Sequence, residues 1–256
     1  MLLRNPKTAE IVGLCFGDGS LTQRNSGKDL GKLRFQLRGN ITEDRDHYNH
    51  HIIPLFERVF KIRINPIEDK SKTESYGLAI EIQRVCNLLI KLGVPLGIKR
   101  ELIIPSWITK NDEFLKCFIR GYMDTDGSIY CGKDYNYPEK GYIKLRMSIS
   151  SISINLIKEV SHSLKRLQVH NLVIKSYTPK DKRQKKFSKL QIDGPNVVDY
   201  FSKIGTKSSK HFTKYQVWQR FGFCPPYTTL KQRQIALLRN NFAIQTAGVP
   251  EPGQTG

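Results

Sequence analysis

No apolar run in the 256 residues approaches the ~20 needed to cross a bilayer, so no membrane-spanning helix is expected. The opening MLLRNPKTAE places a charge and a proline where a signal peptide needs a long apolar stretch. Cysteine is sparse. Cys15, Cys86, Cys117, Cys131 and Cys224 are odd in number, widely spaced and free of any C-x-x-C pair. That argues against a disulfide framework or a structural zinc site and fits reduced thiols. An intracellular setting is expected, cytoplasmic or nucleoid or organellar rather than secreted. Acidic residues are also scarce, 23 Asp and Glu against 42 Lys and Arg, giving a formal charge of +19. Such an excess on a folded chain points to a polyanion, most simply nucleic acid. Hydrophobic residues at 39% and charged residues at 25% exclude a wholly disordered chain. The length allows one large domain or two of roughly 100–150 residues.

The chain resembles itself. Residues 11–21 read IVGLCFGDGSL and residues 119–129 read IRGYMDTDGSI, in register over eleven positions. The stretches C-terminal to the two copies are also alike. After the first come alternating basic residues at 32–38, a helical pattern over 43–60, a strand at 78–82 and a helix over 85–92 ending at Gly93. After the second come alternation at 142–149, a helical pattern over 152–167, strands at 172–177 and 187–192, and a helix over 195–204. Each half therefore reads α-β-β-α-β-β-α. The boundaries are 1–103 for the first half, 104–112 for a Pro-containing polar linker, 113–222 for the second half and 223–256 for an extension. The tail 244–256 lacks periodicity and is expected to fray. The basic run 179–186 reads as a hairpin tip or a phosphate contact.

The repeated segment carries the chemistry. Asn5 can cap a helix and Pro6 suits its first position. Gly13 and Gly17, matched by Gly121 and Thr125, put small residues four apart on one face, where two helix backbones can approach closely. Each helix is expected to end at an Asp-Gly pair, with Gly19 and Gly127 turning left-handed. Asp18 and Asp126 then stand at helix C-termini against the macrodipole and, if the helices pack, against each other. A divalent cation between them offsets both penalties. Mg²⁺ commonly takes one or two carboxylates plus substrate phosphates, so a basic chain with this pair reads as a metal-assisted phosphodiesterase.

These two segments resemble the motif of the LAGLIDADG homing endonucleases, the single-chain kind with two motifs. The resemblance implies an α+β fold of two pseudo-twofold-related αββαββα halves, whose antiparallel sheets form a saddle over the DNA major groove. It implies that Asp18 and Asp126 bind the metal, with Gly17 and Thr125 beside them in the metal set. Phe16 stands where the motif has an earlier acid; Asp124 keeps that acid, which is not the family's metal ligand. A basic residue late in each half is implied as catalytic: Lys99 in the first, and Lys210 in preference to Lys207 in the second. Asn40 and Ser150 or Ser151 fall where the family positions water. The activity implied is site-specific double-strand DNA cleavage with Mg²⁺, Mn²⁺ substituting, and Ca²⁺ supporting binding with little cutting. The expected protein is an intron-encoded monomer, without an intein's terminal Cys or Ser and His-Asn. Two other functions on the same fold are an RNA maturase acting on intron RNA and a non-cleaving DNA-binding regulator.

Base reading is expected from strand faces. Alternation puts Lys32, Arg34, Gln36 and Arg38 on one side, and Arg and Gln pair bidentately with guanine and adenine edges. Lys144, Arg146 and Ser148 make the matching face in the second half, with Lys189 and Gln191 on a further strand and Gln83 by a strand end. His47, His50 and His51 have helical zinc-ligand spacing but no completing Cys or carboxylate, so they read as polar positions of an amphipathic helix.

Overall fold

The computed structural model describes residues 4–70, 74–133, 143–170, 172–179 and 185–239. The tail 244–256 and most of the basic run 179–186 lie outside them. Helix α1 (Pro6–Phe16) opens on a capping box: Asn5 accepts from the Thr8 N–H, the Thr8 hydroxyl accepts from the Asn5 N–H, and Pro6 fills the first turn. Strands β1 (Gly19–Gln23) and β2 (Leu33–Asn40) come next, then helices α2 (Arg45–His47) and α3 (Ile53–Phe60) joined by a π-helical turn at Tyr48–Ile52. Pro54, with no N–H to give, sits just past that wide turn. Strands β3 (Ile67–Asp69) and β4 (Ser75–Ile80) and helix α4 (Gln83–Leu92) complete the set, α4 stopping at left-handed Gly93.

The segment expected to be a plain linker holds a short helix, α5 (Ser106–Thr109), and buries Ile104 and Ile108. The second motif helix, α6 (Asp112–Asp126), starts from Asn111 as its cap. Then come β5 (Gly127–Gly132), β6 (Lys144–Ser151), α7 (Ile154–Arg166), β7 (Leu172–Tyr177), β8 (Phe187–Asp193) and α8 (Pro195–Lys203). Two further helices are α9 (Ser209–Phe221) and α10 (Leu230–Arg239).

The halves repeat each other strand for strand. One sheet has the order β1-β2-β4-β3 and the other β5-β6-β8-β7, every pairing antiparallel. Each sheet turns its apolar residues toward helices: in β2, Leu33, Phe35 and Leu37 are buried while Arg34, Gln36 and Arg38 face outward. The alternation read from the sequence therefore holds, and Phe35 stacks on Phe56 of α3 at 5.7 Å.

Helices α1 and α6 cross at the centre. A Cβ on Gly13 would lie 2.1 Å from the Phe118 carbonyl oxygen and 3.0 Å from the Tyr122 nitrogen. A Cβ on Gly121 would lie 2.4 Å from the Glu10 carbonyl oxygen and 3.0 Å from the Leu14 nitrogen. Gly13 and Gly121, Glu10 and Phe118, Leu14 and Tyr122 are all offset by the 108 residues that separate Asp18 from Asp126. The contact is thus reciprocal, as a pseudo-twofold axis requires.

One expectation fails here. Neither Gly19 nor Gly127 is left-handed; each begins a strand, Gly127 directly after its motif helix and Gly19 after two intervening residues. Their need for glycine is space. A Cβ on Gly19 would meet the Cys15 backbone at 2.6 Å, and one on Gly127 would meet the Met123 oxygen at 2.2 Å.

Residues 223–239 do more than extend the chain. Arg233 of α10 is fully buried, donating to Glu43 at 2.7 Å and to Thr213 at 3.0 Å, and Glu43 also accepts from the Leu230 N–H at 2.7 Å. Helix α10 is thereby fastened to the turn after β2. No helix of the described residues is long and apolar enough to cross a membrane.

Candidate functional site

The crossing of α1 and α6 brings the two motif aspartates to one place. Solvent reaches both side chains, yet protein crowds them. Crowding, reinforced by the charge of Asp44, pushes Asp18 up to about 6. Crowding, reinforced by the charge of Asp18, pushes Asp126 up to about 7. Two carboxylates strained this way suit a hard cation. Among the described residues no cluster of three or more His, Cys, Asp or Glu side chains could hold a metal ion. A cation here would take the two aspartates and complete its shell with water and phosphate, the habit of Mg²⁺ rather than of zinc.

Gly17 and Thr125, matched positions of the two helices, meet each other: a Cβ on Gly17 would collide with the Thr125 hydroxyl. That hydroxyl donates back to the Gly121 and Tyr122 carbonyls, each at 3.1 Å. The Gly17 carbonyl accepts from the Lys99 ammonium, which also bonds the Phe16 carbonyl at 3.1 Å. Lys99 therefore closes the C-terminus of α1, where a cation complements the dipole. Burial lowers its pKa, and the nearby charges of Asp126, Cys15 and Asp18 pull it back up.

Lys210 stands in the field of Asp18, and its ammonium pairs with Asp44 at 2.7 Å. Lys207 is exposed, and its backbone N–H donates to Asp124 at 2.8 Å. Of the two, Lys210 is the one whose charge acts on Asp18, while Lys207 touches Asp124 only through its backbone. Asp44 itself is buried and accepts from the Asn40 N–H at 2.8 Å. The two lysines are thus held differently, one by backbone carbonyls and one by a carboxylate.

The acid that Asp124 preserves is structural. It is buried and accepts from the Thr206 hydroxyl and the Lys207 N–H, with His47 and His211 each 3.9 Å away. Burial works against its charge, but these neighbours outweigh it and hold the pKa below the usual carboxylate range. His47 is therefore no surface position of an amphipathic helix; the wide turn after it and the packing of α9 enclose it, and burial pushes it down to about 4. His51 bonds Glu10 at 2.6 Å and His50 faces Asp46 at 2.9 Å, so the three rings do not converge on one point. Phe16, where the first motif lacks the acid, packs edge-on against Phe118 at 5.2 Å.

The outer faces of both sheets are polar. Gln36 stands between Arg34 and Arg38, and with its amide oxygen turned to them accepts from both guanidinium groups at 3.1 Å. Arg34 also approaches Glu81 at 3.3 Å. Lys144 and Arg146 lie on the matching face, with Arg146 3.6 Å from Asp193 and Gln191 bonded to the same carboxylate. Lys189 sits over the Tyr130 ring at 5.5 Å.

Three expected readers are buried or engaged in contacts within the protein. Ser148 is buried, its short side chain sunk on the central strand between Ser128 and Gln191. Gln83 is engaged in capping β2, accepting from the Leu33 N–H at 2.8 Å and donating to its carbonyl at 2.9 Å. Lys32 lies just before β2, paired with Asp29 at 2.7 Å. Among the water-positioning candidates, the Asn40 side-chain oxygen accepts from the Thr42 and Glu43 N–H groups, making a turn, and the Ser151 hydroxyl accepts from the Ser153 N–H at 3.1 Å. Ser150 is exposed, across from Lys189.

Sequence reading missed Asp44, Lys214 and Tyr130. Lys214 is half-buried near Arg233 and Lys210, and desolvation with those like charges lowers its pKa. Only β5's pairing with β6, which puts Tyr130 opposite Arg146, identifies Tyr130 as an outer-face residue.

The comparisons fall on this geometry. The family model of a LAGLIDADG-like domain matches residues 113–205. No curated protein matches the chain. Among solved structures, mesophilic variants of the homing endonuclease I-DmoI are 18% identical, covering 78% of this chain and 95% of theirs at a TM-score of 0.54. I-DmoI in complex with DNA and Ca is 18% identical over 78% of this chain and 88% of that one, TM-score 0.53. The LAGLIDADG meganuclease I-AabMI bound to uncleaved DNA is 13% identical over 93% and 92%, TM-score 0.51. At such identities it is the fold that is shared, and it is shared by both halves. Residues 113–205 match the LAGLIDADG-like domain, and the chain as a whole has the two-domain α+β fold of these endonucleases.

Proposed function

We propose that the chain is a site-specific double-strand DNA endonuclease of the homing type, working as a monomer on a long, imperfectly palindromic target. The observation that carries this reading is the pair Asp18 and Asp126, side by side at the ends of crossing helices with both pKa values raised. These two carboxylates would hold Mg²⁺, or Mn²⁺ in its place; the bound ion supplies an activated water and neutralises charge on the scissile phosphate. Lys99 and Lys210 supply positive charge beside the pair, suited to steadying a phosphorane-like oxyanion. Arg34, Gln36 and Arg38, with Arg146, Lys189 and Gln191, offer donors to base edges in the major groove. Because the two faces differ, the two half-sites they read differ too.

I-DmoI with DNA and Ca, and I-AabMI on uncleaved DNA, support this reading by fold. Intron homing accords with that kinship, and one chain carrying both motif helices has no need of a partner to complete the site. The domain limits that suit this function are 1–103 and 113–222, with 223–239 fastening the second half to the first. The deciding assay pairs gel shift with cleavage on a DNA library. Wild type should bind with Ca²⁺ and cut both strands with Mg²⁺, while Asp18→Asn and Asp126→Asn should bind without cutting. Variants that cut at the wild-type rate refute the mechanism. A wild type that binds but never cuts is a regulator, and one that prefers folded intron RNA is a maturase.

A further inference from the structure

Beside Lys210 a cleft of about 540 Å³ lies between the turn after β2, the edge strand β5 and the loop joining α9 to α10. Its walls include Asn40, Tyr130, Lys210, Lys214 and Tyr227. Tyr227 is unusual in two ways. It is fully exposed, at 101%, and it is a bulky aromatic at φ +61°, a backbone region such residues rarely adopt.

The loop that presents it is fixed on both sides. Pro225 and Pro226 restrict the approach. Beyond the ring, the Thr228 hydroxyl donates to the Pro225 carbonyl at 3.1 Å, the Thr228 carbonyl accepts from Arg233, and the Thr229 N–H donates to Gln232 at 2.8 Å. Arg233 is itself locked to Glu43. A rigid loop that holds a strained aromatic out in water gains nothing for the fold by doing so, and such outliers gather at binding sites.

The surroundings identify the ligand. Lys210 and Lys214 bring positive charge to the cleft, and Tyr130 carries it onto the outer face of the second sheet, where Lys189 lies over its ring. A free anion needs no aromatic face, and an apolar peptide needs no lysines. A nucleotide strand offers both a phosphate for the lysines and a π-surface for the ring. We propose that the loop Cys224–Thr229 is a further nucleic-acid contact, its Tyr227 ring packing on a base or sugar of the strand whose phosphates run past Lys210 and Lys214. This rests on the reading of the chain as a DNA-binding nuclease.

The test uses the full chain in Ca²⁺ and a duplex it selects from a random library, with 2-aminopurine placed singly along each strand. Tyr227→Ala should weaken binding about tenfold, the scale of one lost base–aromatic stack. It should also abolish the fluorescence change at one to three adjacent positions, while Tyr227→Phe keeps both. An unchanged affinity and fluorescence profile for Tyr227→Ala overturns this inference alone. A wild type that binds neither duplex nor RNA overturns it together with the proposed function.

Discussion

Replacing Gly13 by alanine tests whether the crossing of α1 and α6 sets the geometry of the site. In an ordinary helix this change stabilises by about 1 kcal/mol, because alanine is the better helix former. Here the new Cβ would lie 2.1 Å from the Phe118 oxygen, with the Phe118 carbon at 2.9 Å and the Tyr122 nitrogen at 3.0 Å. All three are backbone atoms, so no side chain can swing aside. Opening the first contact from 2.1 Å to an ordinary 3.4 Å parts the helices by about 1.3 Å. Overpacking of this kind costs about 1–3 kcal/mol, and rigid neighbours put it at the upper end. The net expectation is a loss of about 1–2 kcal/mol in urea denaturation, with m unchanged.

The same displacement separates Asp18 from Asp126. A misplacement of about 1 Å costs roughly 100-fold in rate, so single-turnover cleavage with Mg²⁺ should fall by that order. Gly121→Ala, 2.4 Å from the Glu10 oxygen, should behave alike. Variants more stable than wild type by about 1 kcal/mol, cutting at the wild-type rate, would show that the helices are not in backbone contact and refute the reasoning.

Acidification should stop cleavage as the pH falls from above 7 to below 6, since Asp126 near 7 and Asp18 near 6 then take up the protons a cation must displace; a rate–pH profile reads it. The stability effect has the opposite sense: a raised carboxylate binds its proton more tightly when folded, so its penalty grows as pH rises from about 4 through 7. Asp126→Asn should therefore stabilise the fold at pH 8 by about 1 kcal/mol after allowance for its solvent exposure, seen as a raised melting temperature. Glu43→Ala strips the fully buried Arg233 of its counter-charge and should cost about 3 kcal/mol in urea denaturation, whereas Glu43→Gln, which retains an acceptor, should cost less. DNA affinity should fall with salt at a log–log slope of about −0.9 per phosphate contacted, and Arg34→Ala should relax base preference at one position by about 1–3 kcal/mol; titrations on matched and mutated sites measure both.

What the sequence made legible was what periodicity and repetition encode. The matched segments at 11–21 and 119–129 located the two crossing helices, and the alternation of Leu33, Phe35 and Leu37 with Arg34, Gln36 and Arg38 gave the sheet face. Strands β1 and β5 were implied by the α-β-β-α-β-β-α order but not placed because, at five and six residues, they begin inside the motif that drew attention to its helix. Helix α9 escaped because it buries His211, Thr213 and Tyr215 rather than an aliphatic stripe. Within the site, Lys99 was recoverable by resemblance, but Asp44 was not: its role depends on the chain folding Lys210 against it across 166 positions. Gln83 and Ser148 show the converse, residues of suitable type whose atoms are already engaged or covered.

The fastening of Arg233 to Glu43 also sets a timetable. The two residues are 190 positions apart, so a ribosome adding about 5–20 residues each second adds Glu43 roughly 10–40 s before Arg233. During that interval the turn after β2 lacks the charge that completes it, because Arg233 has not yet been made. The first half can form its own sheet and inner helices on the ribosome. Its junction with α10 closes only after residue 233 has emerged. A nascent chain stalled shortly before residue 230 should accordingly be cleaved by protease at residues 40–45, and one released at full length should resist there.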